Sequence, residues 1–181
     1  PLPMRLQIKI GIYRIEEREL AIERMCDRAL LAAASIKGNY DRRMIQFNDE
    51  MHGKMIMEQK IVNAMVESLE KEEFMVCLQP KVEIDTGKII GAEAIVLWTH
   101  PKLGIISPDD FIPAFERNGF IYTMDLYVWE KACCMMHGWR MEGLTEIPVS
   151  VNVSRTDLYH EDLPDRLAQL TKKYGLSSGE L

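Results

Sequence analysis

The chain has 181 residues, 47% of them hydrophobic and 28% charged, enough to bury a core in one or two domains. Its formal net charge of -6 argues against a sequence-independent grip on DNA or RNA polymers, which takes a basic surface that displaces counterions, but suits a small anionic ligand held through metal ions. No apolar run approaches the ~20 residues of a membrane helix, no signal-peptide core is visible, and Cys26, Cys77, Cys133 and Cys134 lack metal-ligand spacing; these features predict a reduced, cytoplasmic chain, any membrane anchor of its parent lying outside it.

The first element is a strand in RLQIKIGIYRI, where Leu6, Ile8, Ile10 and Ile12 alternate with mostly polar neighbours. A helix follows in EERELAIERMCDRALLAAASIKG. Its opening acids suit a helix N-terminus, Leu20, Met25, Ala29 and Ala32 recur at helical spacing, and Lys37-Gly38 closes it. RRMIQFND predicts a second short strand. Strand, helix and strand make a piece of an α/β domain too small to close a core alone. From Glu50 to Glu70, Met57, Ile61, Ala64, Met65 and Leu69 line one face of an amphipathic connecting helix, its methionines serving core or helix-pairing contacts.

EFMVCLQPKVEI and GKIIGAEAIVLW then form a hairpin around Asp85-Thr86-Gly87. In ISPDDFIPAFERNG, Ser107 is the N-cap, Pro108 the first helical residue, and Asp109 and Asp110 complete the first turn. Pro113 is expected to restart this helix and Gly119 to end it. A longer helix, YTMDLYVWEKACCMMHGWRMEG, puts Val128, Ala132, Met135, Met136 and Trp139 on one face to cover a sheet, with Cys133 and Cys134 as small core fillers. EIPVSVNVSR reads as a strand with Ile147, Val149, Val151 and Val153 on one side and Ser150, Asn152 and Ser154 on the other, followed by a helix in DLPDRLAQLTKKYG. In a parallel α/β sheet both faces are covered, so a polar inner face needs a reason. In a closed β/α barrel that reason is the catalytic mouth.

GAEAIVLW, Gly91 to Trp98, sets Glu93 in an otherwise apolar run, where an ionised carboxylate requires a compensating charge, metal or set of donors. From the residues alone Glu93 is either a ligand-binding acid or a strand glutamate that faces solvent or pairs with a lysine. Asn152 is likewise a ligand or an exposed strand residue. Glu116 reads as a helix-surface acid, and His137 and His160 have no triad partners at readable spacing.

LQPKVEIDTGKIIGAEAIVLW, HPKLGIISPDDFIPAFERNGFI and PVSVNVSR together resemble, in order and spacing, the EAL domain, a cyclic di-GMP phosphodiesterase module built as a β/α barrel. Upstream, IKIGIY, MCDRALLAAASIKGNY and RRMIQFND resemble the C-terminal third of a GGDEF domain, the diguanylate cyclase module that often precedes EAL. The resemblance implies residues 1–50 as the end of a GGDEF domain without its signature loop, 51–72 as a linker helix and 73–181 as the N-terminal half of an EAL barrel. A complete barrel takes ~250 residues. The expected fold class is therefore α/β, a partial TIM-type barrel preceded by a GGDEF remnant and a linker.

By that resemblance Glu93 and Asn152 are catalytic metal ligands for Mg2+ or Mn2+, and Gln79, Ile95, Leu97 and Pro108 occupy substrate-binding positions for cyclic di-GMP. Two departures stand out. Ile95 replaces the leucine of the motif at nearly constant volume. Leu97 replaces a phosphate-binding arginine, on the face of Glu93 and roughly 13 Å along the strand. The implied function is a fragment of a signalling protein that hydrolyses cyclic di-GMP to a linear dinucleotide with two divalent metals. The alternative is a degenerate module that binds cyclic di-GMP or partner proteins without turnover. The chain by itself is expected to be inactive and to associate with copies of itself through exposed strand edges from Leu6 to Ile12 and from Ile147 to Val153.

Overall fold

The computed structural model describes residues 8–39, 41–144, 147–177 and 179–181, and the chain divides after Lys60 into two units. In the first, β1 (Ile10–Ile12) and β2 (Met44–Gln46) pair in parallel, with Gly11 opposite Ile45, and α1 (Ile22–Ser35) forms the crossover between them. Small residues on α1 let the strand come close. A Cβ on Gly11 would lie 1.8 Å from Ala29 O and 2.5 Å from Ala33 N, so only glycine fits there. The expected strand is shorter than read, and Leu6 lies outside the described residues. Helix α1 also starts later than its acids suggested: Leu20 N donates to Glu17 O in a preceding turn, and Glu23 is the only acid in the helix's first turn. Glu17 instead lies 3.7 Å from Arg28, whose guanidinium donates to Tyr13 Oη at 2.6 Å and packs over the Tyr13 and Phe47 rings. Helix α2 (Asp49–Glu70) continues the chain across the division.

The second unit is built on a long hairpin. β3 (Phe74–Val82) and β4 (Ile89–His100) run antiparallel, with Phe74 opposite Trp98 and Gln79 opposite Glu93. Gly87, at φ +67°, turns the connection, and Thr86 Oγ1 donates to Glu83 at 2.6 Å. A strand that the residue pattern did not reveal, β5 (Gly104–Ile106), folds back on the end of β4 after a turn held by His100 Nδ1, which accepts from Lys102 N and Leu103 N at 3.1 Å. On the other edge β6 (Val149–Ser150) pairs with β4 in parallel, Val149 opposite Ala92 and Ser150 opposite Glu93.

Helices α3 (Pro108–Asn118), α4 (Ile121–Met141) and α5 (Leu163–Lys173) complete the unit. Ser107 Oγ accepts from Asp109 N as the N-cap, and Gly119, at φ +80°, ends α3 as expected. Pro113 does not restart the helix. It lies inside a continuous α3, and the carbonyl it leaves without a helical donor belongs to exposed Asp109, which water can satisfy.

Alternation along β4 sorts the two sheet faces. Ala92, Ala94 and Trp98 are buried on the helix side, where Trp98 meets Phe74 at 4.7 Å, Phe111 at 5.6 Å and Phe115 at 5.8 Å between ring centroids. From α4 come Met124, Val128, Trp129, Ala132, Cys133 and Met136. Met135 and Trp139, expected on that face, are half-buried at its margin. Cys133 is the core filler expected, its thiol pushed up to about 11 chiefly by burial, whereas Cys134 is exposed because one residue's step turns it about 100° away. No helix among the described residues is long and apolar enough to cross a membrane.

Candidate functional site

Glu93, Ile95 and Leu97 occupy the β4 face opposite the aromatic core, and this face is open. Glu93 is not buried in an apolar setting: its side chain is 36% exposed, so the cost of its charge is smaller than the apolar run implied. The pairing register puts Gln79, Glu93 and Ser150 side by side on three adjacent strands, with side chains on one face. Asn152 shares that face two residues beyond Ser150, and its Nδ2 donates to Glu93 Oε1 at 3.1 Å. Lys81, two residues past Gln79, reaches across the row. Its Nζ donates to Ser150 Oγ at 2.6 Å and lies 3.9 Å from Glu93 Oε2. With both side chains well exposed, that ion pair contributes little to stability.

Asn152 is held by the segment's hydrogen bonds rather than by a strand ladder. The expected strand from Glu146 to Arg155 pairs only at Val149 and Ser150; Glu146 lies outside the described residues, and Val153 is 44% exposed rather than packed with Val149. Side chains take over the backbone partners beyond Ser150. Trp129 Nε1, on α4, donates to Asn152 O at 2.9 Å, and Ser154 N donates to Asp157 Oδ2 at 2.7 Å. Asp157 opens a 3-10 turn, Asp157–Tyr159, that the sequence reading passed over.

The structure thus brings Glu93, Asn152 and Gln79 together. Ile95 and Leu97 continue the same face toward the end of β4, opposite Cys77 and Met75, while Pro108 stands at the first turn of α3 beyond β5 and outside the row. Lys81, Ser150 and Trp129 are additions to the expected set. Lys81 and Ser150 were accessible through the period of two, each lying two residues from a chosen position, whereas Trp129 depends on how α4 packs. A carboxylate and a side-chain amide are oxygen donors of the kind that magnesium and manganese take. Two such donors form part of a coordination shell; no group of three or more His, Cys, Asp or Glu suited to a metal occurs among the described residues.

A parallel pair of strands, an acid on one and an amide beyond the other, with helices on the opposite face, fits part of a β/α barrel, while antiparallel β3 stands outside its all-parallel pattern. The chain belongs to the EAL domain family, whose profile matches residues 62–181. It is similar to the bifunctional diguanylate cyclase/cyclic di-GMP phosphodiesterase MucR of Pseudomonas aeruginosa, with 28% identity over 135 residues that cover 75% of this chain and 20% of that protein. The cyclic di-GMP phosphodiesterase PA2567 of the same organism is 22% identical over 181 residues, covering 99% of this chain and 31% of its own length. Among solved structures, the PaMucR phosphodiesterase in complex with c-di-GMP has a TM-score of 0.64 at 30% identity, over 67% of this chain and 49% of that one. The EAL enzyme Bd1971 in its cAMP- and cyclic-di-GMP-bound form has a TM-score of 0.62 at 20% identity, over 90% of this chain and 43% of that one, a likeness of fold alone. The chain therefore spans well under half the length of these two curated relatives.

Proposed function

We propose that this chain carries the first strands of a cyclic di-GMP phosphodiesterase domain, with Glu93 and Asn152 holding a divalent ion, Mg2+ or Mn2+, and Gln79 beside them contacting the dinucleotide. The observation that carries this reading is the row itself: Gln79 in register with Glu93, and Asn152 3.1 Å from the Glu93 carboxylate, on an open face of the sheet. Names of relatives in which cyclic di-GMP is substrate or ligand support it. A bound divalent ion supplies charge at the phosphodiester and a more acidic water. The chain's own part is to set a carboxylate and an amide oxygen at one point, with Lys81 holding Ser150 and the neighbouring strand.

The same proposal takes residues 1–50 as the C-terminal part of a GGDEF domain, 51–72 as the linker and 73–181 as the N-terminal half of the EAL barrel. The parallel strand–helix–strand order of the first unit and the division after Lys60 support it. Two donors cannot complete a two-metal site. The purified 181-residue chain is accordingly expected to show no metal-dependent conversion of cyclic di-GMP, and to scatter light as a species larger than 20.9 kDa because β5 and Met75 expose apolar strand surface. Turnover by the pure chain overturns the first expectation; a stable monomer at high concentration overturns the second.

Leu97 favours a second reading, a module that binds without turnover. It lies opposite Met75, where the hairpin offers no charge to a phosphate. Leu97→Arg, in a protein with an entire EAL domain, is expected to tighten cyclic di-GMP binding by about 1.5–3 kcal/mol through a charge-assisted contact. Titration calorimetry giving unchanged affinity would show that ligand phosphates do not pass position 97.

A further inference from the structure

Beyond the Gln79–Glu93–Ser150 row, two carboxyl groups meet where the Asn152 segment packs on α4. Asp157 is fully enclosed, at 0% exposure, and a buried carboxylate needs donors or a partner. Its Oδ2 has one, the Ser154 amide at 2.7 Å, and Ser154 Oγ accepts in return from Asp157 N at 3.3 Å. Its Oδ1 is equally buried and has no donor among the described residues. Asp125, one helical turn before Trp129 on α4, lies on the helix face that Trp129 turns toward this segment, with Asp157 and Ser154 as its hydrogen-bonding neighbours. Two ionised carboxylates have no proton to share between them; one proton supplies the missing donor.

The surroundings favour keeping that proton. Asp125 is pushed up to about 8, first by burial and then by its hydrogen bond to Asp157 and the charge there; the Ser154 backbone opposes the rise and Glu116 on α3 adds to it. The charged groups that act most on Asp125 are the acids Asp157 and Glu116, while His160 and Arg166 pack on the ring of Tyr122 at the start of α4. One helical turn along, Trp129 on the same helix donates its indole N–H to Asn152 O at 2.9 Å. Helix α4 therefore grips the 152–157 segment at both ends, through Trp129 and through Asp125.

Resting on the reading of Asn152 as a metal ligand, we propose that Asp125 and Asp157 are a positioning pair: one proton shared between their carboxyls docks the 152–157 segment on α4 and sets where Asn152 stands beside Glu93. When the proton leaves, two like charges face each other in an enclosed place and the segment loosens. Neither residue touches the ligand face.

The 181-residue chain, without metal or nucleotide, provides the test. Proton–nitrogen correlation spectra from pH 5 to pH 9 follow the Trp129 indole, assigned by its loss in Trp129→Phe, and the Asn152 side-chain amide. Both signals are expected to move together through one transition in the wild-type chain. In Asp125→Asn the new amide donates to Asp157 at every pH, so both signals hold their low-pH positions; Asp157→Asn, which reverses the same hydrogen bond, is expected to flatten the profile as well. Melting temperatures give a second readout. The folded chain holds this proton more tightly than the unfolded chain between about pH 4, the ordinary aspartate range, and about pH 8, so wild-type stability falls as pH rises through that window and the Asp125→Asn chain loses that dependence. Wild-type signals that stay constant overturn the proposal whether or not a variant folds. So does an Asn152 signal that ignores the indole's transition, or a folded Asp125→Asn chain that titrates like the wild type. No ligand or turnover enters these readouts, so a failed phosphodiesterase assay leaves their result standing, and their failure leaves the assignment of Glu93 untouched.

Discussion

Glu93→Gln, in a protein whose EAL domain is entire, is expected to reduce turnover of cyclic di-GMP by far more than the ~10–100-fold that changing a partner of a metal ligand costs. The substitution removes one negative charge at nearly constant volume. Its amide oxygen can still accept from Asn152 Nδ2, the contact seen at 3.1 Å, so the strand and its register have no reason to move. Lys81, 3.9 Å away, loses a counter-charge but is 49% exposed and keeps Ser150 as acceptor, so stability should change by well under 1 kcal/mol. Loss of function without loss of fold is the signature sought. Steady-state kinetics at saturating Mn2+, with melting temperatures measured in parallel, decide it. Wild-type activity in the variant would return Glu93 to the other reading of the residues, a strand glutamate paired with a lysine.

That two-way reading of Glu93 shows how far a sequence can be taken. Period-two spacing put Leu97 on the face of Glu93, as the pairing of β4 has it, because sheet geometry forces neighbours to opposite faces. Ser107 and Gly119 bounded α3 because capping is local chemistry. One miss is a short local element and the others are non-local. Three-residue β5 carries too little pattern to register, and exists because His100 Nδ1 secures the turn before it. The strand through Asn152 ends early because Trp129, 23 positions away, takes the carbonyl of Asn152. Lys81 meets Ser150 across 69 positions, through two neighbours of β4 that only the folded sheet brings together. Thus the motifs singled out Glu93 and Asn152, and strand spacing put Lys81 and Ser150 within reach, whereas the contact from Trp129 depends on how α4 packs.

The support behind that row accounts for the second large effect expected. Trp98→Ala should cost about 3–5 kcal/mol in the stability of the second unit, the range for removing a buried Trp or Phe side chain. Trp98 is fully buried, pairs with Phe74 across the hairpin at 4.7 Å, and touches Phe111 and Phe115 of α3, so truncation opens a cavity between sheet and helix that rigid aromatic walls cannot refill. Trp98→Phe distinguishes packing from polarity. The Trp98 indole nitrogen is buried with no acceptor among the described residues, and an unsatisfied buried donor costs about 1–3 kcal/mol. Phenylalanine loses part of the ring but removes that penalty, so its net cost should be small beside that of alanine. Urea unfolding followed by circular dichroism measures both. Two equal losses would mean that the indole N–H contributes more than the ring does, and would contradict the burial of Trp98 without an acceptor.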